Sequence, residues 1–162
     1  MIKSCSLSIL YTLLLLSLVT IVSATSHQHF HNQQKSIGTM SKSLNVFKKP
    51  LALHSTKPMT GFMRNGYCEV PPDDHGNHSI AAEVTIEFLE FSASRGNDLR
   101  TIGLTGGCKW CLCASRWKEA FDARNGDNDK IVPKVFLNAT NEKALNKINM
   151  DDLKKFAADK EA

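Results

Sequence analysis

The stretch Cys108-Lys109-Trp110-Cys111-Leu112-Cys113 joins a predicted strand to a predicted helix and decides the centre of the fold. Residues 110–113 are short and apolar enough to form a buried strand. The following segment predicts an amphipathic helix over residues 114–124, because its apolar residues recur three and four positions apart. These apolar residues are Ala114, Trp117, Ala120 and Phe121. The stretch also holds three of the five cysteines, so a strand, a helix and thiol chemistry meet at one place.

Turn signals and hydrophobic periodicity predict the elements on either side of this unit. The Asn65-Gly66 pair predicts a hairpin whose returning strand covers residues 67–70. Residues 79–84 predict a strand, and Thr85 is the predicted N-cap of a helix that ends near Ser94. The later predicted elements are a strand over residues 132–137 and short helices over residues 141–147 and 151–158. The sequence therefore predicts a small α+β domain of about four short strands and about four short helices.

The N-terminus has the features of a cleaved signal peptide. Lys3 supplies a basic start, residues 7–22 form an apolar core, and Val22-Ser23-Ala24 fits the small-residue cleavage rule. The core is shorter than the roughly 20 apolar residues of a membrane span, and serines and threonines interrupt it. We therefore predict a signal peptide over residues 1–24, entry into the secretory pathway or the extracellular space, and no stable membrane anchor after cleavage.

The segment after the signal peptide predicts a disordered linker over residues 25–43, because it is polar and has no hydrophobic period. It is rich in hydroxyl, amide and basic side chains, and no acidic residue precedes Glu69, which is also typical of a transit peptide. A signal peptide followed by a transit peptide is the address of plastid proteins in algae with complex plastids. Such a plastid is therefore the alternative location.

The charge balance excludes one class of partner. The chain has a formal net charge of +4, but three of its 20 lysines and arginines precede Leu44 and none of its 16 acidic residues does. The predicted single domain, residues 44–162, therefore carries only +1. This balance argues against a nucleic-acid-binding surface. The sequence identifies no other partner.

Four cysteines remain once the signal peptide and its Cys5 are removed: Cys68, Cys108, Cys111 and Cys113. In an oxidising compartment they are expected to form disulfides. Cys111 and Cys113 would point to the same face of one strand and are awkward partners for each other. Two pairings remain open, Cys68–Cys111 with Cys108–Cys113, or Cys68–Cys113 with Cys108–Cys111. The favoured interpretation is a structural disulfide centre that requires no cofactor.

Two other interpretations make the cysteine cluster chemically active. In the first, Cys108, Cys111 and Cys113 bind zinc as thiolates, and Cys68, His78 or His75 is the fourth ligand of a tetrahedral site. In the second, Cys108 and Cys111 form a redox pair near a helix N-terminus, where the helix dipole and Lys109 favour the thiolate form.

Further candidate site residues lie outside the cluster. The run from Asp73 to His78 contains carboxylates and imidazoles, with Asp74 and His78 as the candidates, although a polar turn has the same composition. Other residues interpreted as supporting a site are Asn97, Asp98, Arg116 and Trp117, of which Trp117 also fits a core position. Two sequons predict glycosylation of a secreted chain at Asn77 and Asn138.

Several stretches resemble one family along most of the predicted domain. They include Thr60-Gly61-Phe62, Ser94-Arg95-Gly96-Asn97-Asp98-Leu99, Trp110-Cys111-Leu112-Cys113-Ala114 and Arg116-Trp117-x-Glu119-Ala120. Over about residues 45–157 the chain is similar to an uncharacterised family found mainly in bacteria and algae, the domain of unknown function 2237. The residues that fit its pattern are Cys68, His78, Cys111, Cys113, Arg116 and Trp117.

The chain departs from the family pattern at a few positions. A cysteine expected near Ala81 is absent, Asn141 replaces a histidine, and Cys108 replaces an acidic residue. The resemblance implies a unit of fold but no reaction. The functional prediction is therefore a small secretory-pathway domain with a disulfide centre, acting as a binding or accessory module. The alternative is a thiol-redox or zinc-binding, enzyme-like protein, and the sequence does not decide whether the chain is an enzyme.

Overall fold

The computed structural model describes residues 43–159. The predicted signal peptide over residues 1–24 lies outside the described residues, as does the predicted linker up to Lys42. Both stay predictions, as do the secretory and plastid locations. Among the helices that the structure describes, none is long and apolar enough to cross a membrane.

A three-stranded antiparallel sheet lies at the centre of the fold. Strand β1 (Ile80–Glu83) is in the middle, with β2 (Lys109–Leu112) on one side and β3 (Lys134–Val135) on the other. In the register of β1 and β2, Ala81 lies opposite Cys111. Successive side chains of a strand point to opposite faces, so this register decides which residues of β2 share a face with Ala81.

Both faces of β1 are buried. Ile80 and Ala82 belong to the main hydrophobic core, whereas Ala81 belongs to a second, smaller cluster with Cys68 and Cys111. Ile80, Ala81 and Ala82 have no exposed surface. The segment that reaches the Ala81 face, residues 51–79, contains no helix and no strand, and it covers the sheet with turns.

Residues 43–159 also contain three α-helices and two 3-10 helices. They are α1 (Ile86–Ser94), α2 (Ala114–Ala123), α3 (Met150–Lys155) and the 3-10 helices Leu99–Ile102 and Glu142–Asn146. Helix α2 directs Trp117 into the core, where the ring stacks on Phe121 with 5.3 Å between centroids and meets Phe156 edge-on. The indole Nε1 of the fully buried Trp117 donates to the Pro133 carbonyl at 3.0 Å, so its one polar group is satisfied.

The α+β class is confirmed, but the described residues contain three strands, not about four. The predicted returning strand over residues 67–70 is wrong. The Gly66 carbonyl accepts from the amides of His54 and Ser55, and Cys68 is bonded to the sheet, so the chain follows a turn. The predicted strand over residues 132–137 shortens to β3, because neither of its ends donates to the sheet. The Val132 amide donates to the Asp129 carbonyl at 3.2 Å and the Leu137 amide to the Asp159 carboxylate at 2.6 Å.

The N-cap of α1 gives a test of this description. The Thr85 hydroxyl accepts from the Phe88 amide at 3.0 Å and donates to the Lys130 carbonyl at 2.5 Å. We expect Thr85→Ala to lower the free energy of unfolding by about 0.5–2 kcal/mol in a denaturant titration. Thr85→Ser keeps the hydroxyl and is expected to stay within about 0.5 kcal/mol of the parent. Equal losses in the two variants would contradict the capping role.

Candidate functional site

One disulfide joins the irregular segment to the sheet. Cys68 and Cys111 are bonded across 43 residues of sequence, and both are almost completely buried. The bond is reinforced by the buried Thr60, whose hydroxyl accepts from the Cys111 amide at 2.8 Å. The segment that carries Thr60 and Cys68 is therefore held against β2 by one covalent bond and one hydrogen bond.

The second predicted disulfide is not formed. Cys68–Cys111 belongs to the first of the two pairings left open, but Cys108 and Cys113 are both free. They lie at opposite ends of β2 and meet different partners. The Cys108 sulfur accepts from the Thr105 amide at 3.5 Å, in the turn before the strand. Cys113 was predicted to be a strand residue, but it is the N-cap of α2. It therefore does not share the strand face of Cys111.

A buried carboxylate fixes the position of His78. Both oxygens of Asp74 accept hydrogen bonds from this residue, one from the backbone amide at 2.8 Å and one from the imidazole Nδ1 at 2.6 Å. The Asp74 side chain has no exposed surface, whereas about a third of the His78 side chain is exposed. Because a buried carboxylate needs donors of this kind, the pair holds the imidazole in one orientation.

The Cys113 sulfur is the strongest influence on the protonation of His78. The pKa of His78 is raised to about 9, mainly by a hydrogen bond with Cys113, while partial burial opposes the rise. The charge on Cys113 and the carboxylate of Asp74 raise this pKa further. Asp74, His78 and Cys113 therefore form a connected series of acid, imidazole and thiol.

The Cys113 side chain has no capping role. Ser, Thr, Asp and Asn are the usual N-cap residues because their side chains accept from the first helical amides. The Cys113 side chain makes no such bond, and the residue is partly exposed. The first amide of α2, that of Ala114, instead donates to the Asn77 carbonyl at 2.9 Å. This bond fixes the turn of His78 beside the helix N-terminus, where the dipole favours negative charge.

A cavity of about 310 Å³ is lined in part by His78. Among residues 43–159 its lining includes two basic residues, Arg64 and His78, and no acidic residue. The remaining large side chains of its lining are apolar: Phe62, Leu99, Ile102 and Trp110. Phe62 stacks on the His78 ring with 6.1 Å between centroids. The disulfide residue Cys111 also lines the cavity, so the tethered segment and β2 together form its walls.

The other predicted supporting residues have structural contacts elsewhere. Asn97 bonds to Ser92 at the end of α1, and Asp98 caps the 3-10 helix and pairs with Arg100. Arg116 donates to the Arg95 carbonyl and to Glu119 on the outer side of α2. The exposed His75 and the core residue Trp117 also lie outside the series formed by Asp74, His78 and Cys113.

The predicted zinc site stays a prediction. Two of its ligands, Cys68 and Cys111, are bonded to each other, so their sulfurs are not thiolates. Within residues 43–159 no three or more histidine, cysteine or acidic side chains are grouped so that they could hold a metal ion.

The side-chain amide is hydrogen-bonded at both predicted glycosylation sites. The Asn77 Nδ2 donates to the Lys143 carbonyl and the Asn138 Nδ2 to the Asp159 carboxylate, each at 3.0 Å. A sugar on either nitrogen would replace one of its two hydrogens. Glycosylation stays a prediction.

Sequence reasoning placed Asp74 and His78 in one polar run and His78 with Cys113 in a possible zinc site, but it did not join the three residues. It also missed Arg64 and Trp110 as cavity residues. One signal was present for the group. The four-residue spacing of Asp74 and His78 in a glycine-containing turn allows both carboxylate oxygens to reach one histidine. No sequence signal places Arg64 over the Trp110 ring, because the contact depends on the path of the tethered segment.

Comparison with protein families gives a match over most of the chain. A family model described as "Uncharacterized protein conserved in bacteria (DUF2237)" matches residues 44–157, which is well over half of the chain. A search of curated proteins finds no match.

The pKa of His78 predicts a dependence of stability on pH. A histidine has a pKa near 6.5 in the unfolded chain, so the folded state, with its pKa of about 9, binds the proton more tightly. This contribution is fully present below about pH 6.5 and is lost as the pH rises through about 9. We expect NMR titration of the His78 ring to give a midpoint near 9. In Cys113→Ser the midpoint falls towards 6.5, and an unchanged midpoint would contradict the assigned cause.

The disulfide predicts a large effect on stability. We expect Cys68→Ala/Cys111→Ala to lower the free energy of unfolding by about 4 kcal/mol, because the bond closes a loop of 43 residues in the unfolded chain. The control is Cys108→Ala, which removes a free cysteine and should cost less than about 1 kcal/mol. A non-reducing guanidinium titration measures both, and similar losses would show that the bond is not the main constraint.

Proposed function

The chain belongs to the uncharacterised DUF2237 family, and we propose that it is an enzyme in which Cys113 is a nucleophile. The observation that carries the proposal is the connected series of Cys113, His78 and Asp74. A nucleophile, a base beside it and a third group that orients the base are the common elements of cysteine-dependent acyl transfer.

Each residue of the series has a distinct role. In the reactive form the thiol proton has passed to His78, which leaves a thiolate beside an imidazolium. Asp74 holds the ring through Nδ1 and offsets its positive charge. The N-terminus of α2 favours negative charge at Cys113. Cys113 is a partly exposed residue, which supports access of a substrate to it.

The proposed reaction is hydrolysis of a small acyl substrate. The Cys113 sulfur attacks the substrate carbonyl carbon, the bond to the leaving group breaks, and His78 delivers its proton to that group. The product of this half-reaction is a thioester on Cys113. Water then attacks the thioester with His78 as the base, a carboxylic acid leaves, and the proton returns to the Cys113–His78 pair.

The disulfide has a structural role in this proposal. Cys68 and Cys111 are almost completely buried, and a disulfide exchanges only when a thiolate can reach one of its sulfurs. The bond fits an oxidising compartment, which supports the predicted secretory route. The redox interpretation of Cys108 with Cys111 loses support, because Cys111 is already paired.

A binding or accessory module is the second candidate. The cavity beside His78 favours it, because its aromatic and basic lining can hold a ligand whether or not Cys113 reacts.

Zinc on Cys108, Cys113 or His78 is a further proposal that native mass spectrometry of the purified protein would test.

The reactivity of the two free cysteines tests the proposal. We expect iodoacetamide to alkylate Cys113 at least tenfold faster than Cys108 at pH 7, because only Cys113 has a base beside it. Peptide mass spectrometry of time points gives both rates in one sample, with Cys108 as the internal control. His78→Gln should remove the difference between the two cysteines.

A second variant, Gly76→Ala, tests whether the position of the His78 imidazole controls the alkylation rate of Cys113. A Cβ atom at Gly76 would lie 2.5 Å from Cε1 of His78, and the Gly76 backbone itself permits alanine. Gly76→Ala should therefore displace the imidazole and slow the alkylation of Cys113 while the rate at Cys108 stays unchanged. Equal rates at Cys113 and Cys108 in the unmodified protein would refute the proposed nucleophile.

A further inference from the structure

Arg64 supplies an exposed positive charge to the lining of the cavity. Its guanidinium carbon lies 4.6 Å from the centre of the Trp110 ring, so the group rests on the indole face. No carboxylate among residues 43–159 forms an ion pair with it, although other arginines of this region, such as Arg95, Arg100 and Arg116, have one. The N–H donors at the edge of a stacked guanidinium remain free for an oxyanion.

The backbone holds Arg64 in an unusual conformation. Its φ angle is +51°, in the left-handed region that non-glycine residues seldom occupy. The turn is closed by the Arg64 amide, which donates to the Gly61 carbonyl at 3.1 Å. Gly61 itself has no room for a side chain, because a Cβ atom there would lie 2.2 Å from the Tyr67 carbonyl oxygen. The turn therefore fixes where the Arg64 side chain leaves the backbone.

The other basic group of the cavity is already compensated. His78 faces the Asp74 carboxylate at 2.6 Å and the Cys113 sulfur, so its positive charge has partners inside the protein. Arg64 has none within the described residues. Among residues 43–159 the cavity lining therefore contains one exposed cation, Arg64, that has no carboxylate partner, and an anionic ligand in the cavity would pair with it.

The apolar lining defines the rest of the ligand. Phe62, Leu99, Ile102 and Trp110 surround a volume of about 310 Å³, at the lower end of the range for small-molecule sites. Such a volume holds a ring or a short chain but no macromolecule.

We propose that the cavity binds a small apolar molecule bearing one oxyanion, a carboxylate or a phosphate, and that Arg64 recognises this group. In the proposed reaction the substrate is then an acyl compound with an anionic group on an apolar body. Only the position of the reacting carbon depends on the proposed function, because binding itself does not require the thiol of Cys113.

Binding is tested in the Cys113→Ser variant, which removes the nucleophile. The probes are phenylacetate, phenyl phosphate and the neutral phenylacetamide. The reporter is the indole N–H signal of Trp110 in ¹⁵N NMR spectra. The other tryptophan, the core residue Trp117, is hydrogen-bonded to Pro133 and serves as the internal control. We expect at least one anionic probe to shift the Trp110 signal in a saturable manner, and phenylacetamide to bind at least tenfold more weakly.

Substitutions of arginine identify the recognition group. Arg64→Gln should weaken binding of the anionic probe at least tenfold, whereas Arg64→Lys should retain part of it. The matched control is Arg95→Gln, since Arg95 also stacks on an aromatic ring, Phe91, but lies outside the cavity lining. Equal binding of the neutral probe, or unchanged binding in Arg64→Gln, would overturn the proposal.

The two proposals fail in different ways. Fast alkylation of Cys113 by iodoacetamide without binding of either anionic probe would retain the nucleophile and refute the oxyanion site. Binding of an anionic probe through Arg64, with Cys113 no more reactive than Cys108, would retain the site and refute the enzyme. Absence of both responses would refute both.

Discussion

Burial of β1 on both faces is the constraint on which the rest of the structure depends. A strand whose first three residues all lack exposed surface needs two covering layers. The helices and their aromatic cluster supply one layer. The other is a segment without helix or strand, which has little periodic apolar surface of its own to bury. The Cys68–Cys111 disulfide and the Thr60 hydroxyl attach it to β2, so covalent bonding replaces part of the packing that a regular element would provide.

The candidate site follows from the same arrangement. The irregular segment passes over the sheet and ends in the turn of Asp74 and His78, which leads directly into β1. Strand β2, paired with β1, ends at the N-cap of α2, so Cys113 arrives beside that turn. A hydrogen bond from Ala114 to the Asn77 carbonyl joins the two ends. The contact between His78 and Cys113 therefore results from strand pairing and not from proximity in sequence.

The regular part of the fold was predictable because local signals agreed with the tertiary structure. The apolar spacing of α2, the Thr85 N-cap and the strand over β1 all rest on short-range patterns. Prediction failed where long-range contacts decide, as at residues 67–70, where the disulfide of Cys68 overrides a hairpin signal. Cysteine spacing left two pairings open, and it did not show that only Cys68–Cys111 forms while Cys108 and Cys113 stay free. The cavity was missed because Arg64 and Trp110 lie 46 positions apart in the sequence.

The position of the disulfide has a mechanical consequence. The bond turns residues 68–111 into a covalent ring, so tension applied at the two ends of the chain passes from Cys68 to Cys111 through sulfur. Strand β1, helix α1 and the Asp74–His78 turn lie inside the ring and carry no load. The ring contains about 150 Å of chain, measured fully extended, and this length is not stretched while the disulfide is intact. Cys113 lies two residues outside the ring, so a pulling force would separate the thiol from His78 while the turn that orients the imidazole stayed inside the unstretched loop.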